Sequence, residues 1–173
     1  MACSQTLNGI AAACETNVGG IREVFIANYD DVSEIEIDAQ TNMIDNITMA
    51  ASAKFKKYFF KKNTSSLTST LNVDPTAGVN FVQSDLALVF AKQETVKRME
   101  IAKLRLGELR VIVKDANGKY WFLGYEEFVS ATAGTAETGV NRTDGNRYTI
   151  TLTDYSSSYP YEVDPTIVDA LVA

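Results

Sequence analysis

Along much of the chain, apolar and polar residues alternate with a period of two, the spacing of strands that have one buried and one wet face. Ile21–Asn28 (IREVFIAN) is rich in Ile, Val and Phe and reads as a strand, broken by Asp30-Asp31. Ser33–Asp38 (SEIEID) sets Ile35 and Ile37 against Glu34, Glu36 and Asp38, a strand with an acidic outer face. Residues 39–50 hold Asn42, Asp45 and Asn46 and predict a loop, whereas Ser52–Lys62 (SAKFKKYFFKK) has extended character again. Leu109–Lys114 and Lys119–Leu123 flank Asp115-Ala116-Asn117-Gly118, and Asn-Gly between two strand-like runs is the strongest short-range hairpin mark. A strand over Phe128–Thr132 leads into a loop of small residues reaching Asn146. Arg147–Thr153 alternates Tyr148, Ile150 and Leu152 with polar residues and reads as another half-wet strand.

Only Gln93 to about Leu106 has the composition of a helix, with Lys, Glu, Arg, Met, Ala and Leu dominating and Gly107 ending it. Val96, Met99 and Lys103 share one line of its surface, with Ile101 and Leu104 nearby, a modest apolar stripe. Residues 63–80 (NTSSLTSTLNVDPTAGVN) differ from everything around them. Their large aliphatic residues are Leu67, Leu71, Val73 and Val79, too few to offset the cost of ordering the segment. Asp74-Pro75-Thr76-Ala77-Gly78 is a turn signal, so the stretch predicts a long hairpin-like arm with its tip near Pro75, rejoining the body at Phe81–Phe90. Such an arm is either disordered in a lone copy or ordered against a neighbour.

About seven strands and one helix predict a mainly β fold: an antiparallel β-sandwich or small barrel with one packed α-helix and a long β-hairpin arm. The expected organisation is a single domain over residues 1–173, with terminal extensions at 1–18 and 164–173.

Composition narrows the function. Apolar residues make up 46% and charged residues 22% of 173, the balance of a folded globular chain. Acids outnumber bases 22 to 16, a formal charge of −6 that argues against general nucleic-acid binding. No apolar run is long enough to span a bilayer, and no basic-then-apolar leader opens the chain, so neither a membrane partner nor a secretory signal is expected. Histidine is absent, which removes the usual general base and the commonest metal ligand. Cys3 and Cys14 are too few for a disulfide framework; a single bridge and two unlinked thiols both remain open. No phosphate-cradling glycine motif occurs. Asp115, Asn117 and Glu126 match three places of a calcium-loop template, but Lys119 and Tyr120 stand where an oxygen ligand and a glycine belong. The paired carboxylates Asp30-Asp31 and Glu126-Glu127 point to opposite faces of an extended chain and do not converge. The expectation is a chain with no catalytic residue, no cofactor and no metal.

Lys54, Lys56, Lys57, Lys61 and Lys62 are five of the sixteen basic residues, set within nine positions among Phe55, Tyr58, Phe59 and Phe60. Basic residues interleaved with aromatics suit a single-strand groove, which the acidic balance disfavours. Two other accounts stand. The lysines lie near the acidic stretch Asp30, Asp31, Glu34, Glu36 and Asp38, within or between subunits, and set register; or they guard an exposed strand edge.

In the order of its parts the chain resembles a bacteriophage tail tube protein, of the type found in phages of Bacteroidetes hosts. The marks run from Gly19-Gly20-Ile21 through the aromatic-lysine strand, the Ser/Thr-rich arm and the helix. They continue through the hairpin Val111-Ile112-Val113-Lys114-Asp115-Ala116-Asn117-Gly118-Lys119-Tyr120-Trp121-Phe122-Leu123-Gly124, then Thr138-Gly139, Asp144–Leu152 and Pro160. The resemblance implies a structural virion protein of the tail, assembled in the host bacterial cytoplasm. It implies a homo-oligomeric, hexameric ring that contacts other tail or connector proteins, with DNA only passing through the lumen. It makes residues 54–81 the assembly arm, with Lys54, Lys56, Lys57, Lys61, Lys62, Leu67, Leu71, Val73 and Phe81 at the interface. Tyr125-Glu126-Glu127-Phe128 departs from the family pattern, lacking a glycine there, and a ring, collar or head-tail connector component fits the same residues. The competing class is a monomeric β-sandwich that binds carbohydrate or serves adhesion, for which Tyr155–Tyr161 would supply aromatics.

Overall fold

A computed structural model of the chain describes residues 7–12 and 14–173. Its eleven strands form a seven-stranded and a four-stranded sheet. The larger sheet is built on β1 (Ile21–Asn28), which pairs antiparallel with β7 (Leu109–Asp115) on one side and with the short β4 (Lys56–Tyr58) on the other. β8 (Tyr120–Leu123) closes the expected hairpin with β7, and Gly118 at φ 88° takes the left-handed place in its turn. Next come β11 (Tyr161–Val163), β3 (Ile44–Met49) and β2 (Val32–Ile37), giving the order β2-β3-β11-β8-β7-β1-β4.

That order forces the sheet to roll. β1 and β2 stand five places apart, about 24 Å if the sheet were flat. Only a 3-10 turn, Tyr29–Asp31, joins them. Three residues cannot span that distance while also turning, so the sheet curls until its far strands lie over the near ones. Arg110 of β7 holds the curl: its guanidinium donates to the Val32 carbonyl at 3.1 Å and lies 4.1 Å from the centre of the Tyr29 ring. The roll stays open, since β2 and β4 do not pair, so the fold is a sandwich and not a closed barrel.

Alternation on the central strands then makes two cores. On the concave side Phe25, Ile112 and Phe122 pack with Ile44, Phe55 and Val163. On the convex side Val24, Ile26, Val111 and Val113 meet the second sheet, whose order is β5 (Ser66–Asp74), β6 (Val79–Ala91), β10 (Arg147–Ser156), β9 (Ser130–Glu137). Leu86 and Leu88 of β6 and Ile150 and Leu152 of β10 are the facing side chains. Between β6 and β7 runs α1 (Thr95–Leu106), which docks through buried Leu104 and half-buried Ile101.

Several expectations are corrected. Residues 39–50 hold strand β3, because Ile44 and Ile47 are buried between β2 and β11 and outweigh the turn-forming Asn and Asp around them. β9 runs five residues beyond Thr132 through small residues expected to form a loop. The stretch 164–173 is not an extension. Asp164 accepts from the Thr166 amide at 2.8 Å and caps a second helix, α2 (Pro165–Leu171), whose Val168 and Leu171 plug the concave core. Val172 then bridges Phe55. Of the N-terminal segment, 7–12 and 14–18 are exposed and lie outside regular secondary structure, with the Val18 amide donating to the Asn117 side chain. Cys14 is exposed, and Cys3 lies outside the described residues.

Candidate assembly surfaces

The segment expected to form one arm, residues 54–81, is divided between the two sheets. Its first part belongs to the seven-stranded sheet: Phe55 is buried, and β4 pairs with β1 through Val24↔Tyr58, Phe25↔Lys57 and Ile26↔Lys56. The five lysines of this part have different tasks. Lys57 places its ammonium 2.7 Å from Glu23 and over the Phe25 and Phe59 rings. That hydrogen bond, with the Lys114 charge behind it, holds the Glu23 carboxyl below the usual carboxylate range. Lys54 donates to the Ala170 carbonyl and pins α2. Lys56, Lys61 and Lys62 are exposed and make no ion pair among the described residues.

Within one chain the rolled sheet brings Lys54 and Lys56 to a cleft that Asp31 also lines, yet no ion pair forms between the lysines and the acidic stretch. The acidic side chains have local partners instead: Asp31 accepts from the Asn28 side chain, Glu36 from Asn46, and Asp38 from the Gln40 and Thr41 amides. These amides keep the Asp38 carboxyl below its ordinary range.

The second part of the segment is a hairpin at the edge of the four-stranded sheet. β5 pairs with β6 along its whole length, from Ser66↔Ala87 to Asp74↔Val79. Leu67 packs on the convex core, and Ser69 shares a 2.7 Å hydroxyl bond with buried Ser84. The neighbour on the other side runs out sooner, since the last β10–β6 pair is Ser156↔Val82. Beyond Val82 the hairpin overhangs by three residues and its turn, about 10 Å of strand plus the tip. Asp74 accepts from the Thr76 and Ala77 amides and Gly78 takes φ 68°, so the tip is an ordered Asx-type turn. Leu71 and Val73 continue the line of core-facing side chains, but nothing lies opposite them, and they are 47% and 58% exposed. Phe81, on the outer face, stacks on Tyr155 with ring centres 6.0 Å apart.

Two further surfaces depend on how the elements pack. The apolar line of α1 faces outward: Val96 and Met99 are largely exposed, because Leu104 and Ile101 take the core side. Between α1 and β4 this leaves a groove of about 370 Å³ with Phe90 and Leu104 at its base and Phe59, Val96, Lys56 and Lys97 along its sides. Tyr58 spans it, its hydroxyl donating to Glu100 at 2.7 Å; burial pushes the phenol up, and the same bond draws the Glu100 carboxyl down. Lys92 and Lys97 bracket Glu94 at the helix start and take its carboxyl down to about 2.

The other surface is the free edge of β9. Its sequence, SATAGTAE, has no bulky side chain, lysine or proline, and β5 on the opposite edge lacks lysine and proline too. Edges without such guards are templates for another strand. The sheet is antiparallel throughout, so β5 and β9 run in opposite directions. Its four strands carry the carboxylates Asp74, Asp85, Glu137 and Asp154 against a single cation, Arg147, which is paired to Glu137 at 3.0 Å. On the outer face Asp85 accepts from Gln83 and from Thr153, whose hydroxyl also meets Thr132 at 2.8 Å.

Asp154 is only 4% exposed, and its Oδ1 lacks a partner. Burial lifts its carboxyl to about 6, against a hydrogen bond from the Gly124 amide, with the charges of Glu126 and Glu127 adding to the rise. Glu126 is itself bonded to the Ser157 amide at 2.9 Å. Among the described residues no three acidic or cysteine side chains are placed to hold a metal ion. Asp115, from the calcium-loop template, accepts from the Lys119 amide and from Trp121 Nε1, as a hairpin requires. The tyrosines of the tail do not form one platform: Tyr155 stacks on Phe81, while Tyr161 packs edge-on against Tyr125. No helix of the described residues is long and apolar enough to cross a membrane.

No family model matches the chain, and no curated protein matches its sequence.

Proposed function

We propose that this chain is a structural subunit that closes into rings, and that the rings form the tail tube of a bacteriophage. The observation that carries the proposal is the four-stranded sheet, with two unguarded edges of opposite direction and an overhanging hairpin whose apolar strip has no facing layer. Joining β9 of one copy to β5 of the next continues the antiparallel alternation. Because the joined edges differ, the contact is head-to-tail, and a constant rotation between copies closes it into a ring with no edge left over. The same joint places a neighbouring strand beside Leu71 and Val73, the exposed apolar residues of β5.

In such a ring the buried face of the sheet stays against its own core, so the hydroxyl-rich outer face turns to the channel. Thr68, Thr70, Thr149 and Thr151 with Gln83 and Asp85 make that face polar, and no lysine stands on any of the four strands. A wall without free cations repels a phosphate backbone and lets DNA slide. The role asks for no catalytic group. Lys56, Lys61 and Lys62, having no ion-pair partner among the described residues, are placed to meet Glu34, Glu36 and Asp38 of an adjoining copy, as charges that set register do.

The test is sedimentation velocity across a range of protein concentrations, with negative-stain imaging of the heaviest fraction. Rings or tubes growing with concentration are expected. A discrete monomer at every concentration would overturn the proposal.

A further inference from the structure

Trp121 is the chain's only tryptophan, and it stands outside the aromatic pairings of the fold. Tyr29 meets Phe128, Tyr58 meets Phe90, Phe81 meets Tyr155 and Tyr125 meets Tyr161, but neither Trp121 nor Tyr159 stacks on another ring among the described residues. Trp121 pairs with Val113 across β7 and β8 and so shares the convex face with it, yet it is only half-buried. Tyr159 is 55% exposed. The two residues line one shallow cleft of about 400 Å³ with Pro160, Asn42, Met43 and Glu162. Its walls are fixed by hydrogen bonds of the chain itself. Trp121 Nε1 donates to Asp115 at 3.0 Å, which sets the plane of the indole. In the β2–β3 loop the Asp38 carboxylate accepts from the Gln40 and Thr41 amides, its own amide donates to the Met43 carbonyl at 2.9 Å, and Asn42 takes φ 57°. On the opposite wall the Ser158 amide donates to the Ser156 hydroxyl, and Pro160 stiffens the backbone after Tyr159. Fixed walls spare a ligand the cost of ordering them. The rim still has hydrogen-bonding groups to offer. The Asn42 side chain and the Tyr159 hydroxyl make no hydrogen bond among the described residues, and Glu162 spends one carboxylate oxygen on Lys119. Glu162 is the one charged residue of the lining, and Lys119 neutralises it.

We propose that this cleft is a binding site for a neutral saccharide, with Trp121 and Tyr159 as its platforms and Asn42 and Glu162 as its polar contacts. A sugar ring has one face of C–H groups, slightly positive, which packs on the negative face of an aromatic ring. Its hydroxyls donate and accept at once, so they meet the Asn42 amide, the Tyr159 hydroxyl and the unspent Glu162 oxygen together. The volume falls within the about 300–1,000 Å³ of small-ligand sites. A proline-rich peptide would also stack on the two rings, but proline carries no N–H, so the acceptors on Asn42 and Glu162 would stay unmet. An acidic sugar would bring its carboxylate towards Glu162. Neither β5 nor β9 lines the cleft, so the site stands independently of the ring reading.

Because Trp121 is the only tryptophan, the fluorescence of the full-length chain reports on this cleft. The protein is titrated to about 10 mM with cellotetraose, maltotetraose, mannotetraose and N-acetylchitotetraose, and with sialyllactose and a decaproline peptide for comparison. The expected result is a saturable change with at least one of the neutral tetrasaccharides, and a weaker response or none with sialyllactose and decaproline. Tyr159→Ala should weaken that binding about tenfold. Asn42→Gly, which keeps the left-handed backbone and removes the amide, should weaken it about fivefold. Both positions are exposed, so both variants should keep the parent's thermal midpoint. No saturable response to any neutral tetrasaccharide would overturn the proposal. So would binding that survives Tyr159→Ala unchanged, or a stronger response to decaproline, which would make the cleft a peptide groove. Rings in negative stain without a sugar response would overturn the saccharide site alone and leave the ring proposal standing.

Discussion

The two sheets of this protein treat their edges in opposite ways. The thirty-seven strand residues of the seven-stranded sheet carry eleven charges, whereas the forty of the four-stranded sheet carry five. One edge of the larger sheet, β4, is three residues long and set among lysines; the other, β2, is acidic and irregular in register. Short, charged and bulged edges discourage pairing with another chain. The smaller sheet ends instead in nine residues of β5 and eight of β9, both neutral or acidic and without lysine or proline, with α1 packed beside β9 through Ile101 and Arg105. Both sheets share a core through β1 and β7, so burial cannot account for the contrast. A chain that guards one sheet and leaves the other open has a use for the open one.

The largest effects should come from the shared core, and they should not distinguish the sheets. Phe122→Ala on the concave side and Leu152→Ala on the convex side should each cost about 2–5 kcal/mol in urea titrations. Because β1 and β7 face both clusters, each variant should unfold in one transition; two separated transitions would mean that the sheets are independent units. Next in size is the edge itself. Leu71→Lys should weaken assembly about 30-fold or more, the effect of about 2 kcal/mol of unpaired charge in the joint, with little change in monomer stability. Arg22→Glu, exposed on β1 of the guarded sheet, should leave assembly unchanged in sedimentation; a loss equal to that of Leu71→Lys would erase the contrast.

Smaller again is the titration of Asp154. Its carboxyl is raised to about 6 in the folded state, so the native chain holds a proton that the unfolded chain releases near the ordinary 3.8. Stability from this group is therefore full below about pH 4 and declines as pH rises through 6. Asp154→Asn should flatten that slope and gain about 1–2 kcal/mol at pH 7, measured by thermal or urea unfolding at stepped pH. The smallest effect belongs to the guarded edge: Lys56→Glu should change monomer stability by no more than about 0.5 kcal/mol, while altering the salt dependence of assembly.

Much of the fold was legible because its signals are local. β1, β2, β7, β8 and β10 announce themselves through β-branched or aromatic residues, in alternation for β2 and β10, and the Asn117-Gly118 turn joins two of them. β3 was hidden because its apolar positions, Ile44 and Ile47, sit among turn formers. β9 was half hidden because Ala, Gly and Thr give no apolar signal. α2 is seven residues long, too short to be stable by propensity, and exists through the docking of Val168 and Leu171. For the candidate assembly surfaces the sequence grouped residues that the structure separates. Lys54–Phe60 and Leu67–Phe81 are close in the chain, yet they fall on different sheets. The apolar line Val96–Met99 was visible in α1, but the side it turns to solvent was not.

Periodicity and turn chemistry act over a few residues, so strand identity, the long hairpin and the main helix are settled within the chain's own neighbourhoods. The order of strands is settled by contacts between residues far apart in sequence. It decides that the larger sheet rolls around α2, and that β5 and β9 become edges while β6 and β10 do not. It also decides that the hairpin outruns its neighbour β10 by three residues, with Val73 in the overhang and Leu71 at its start. Those outcomes depend on how many strands compete for each flank, a quantity that no stretch of ten residues contains.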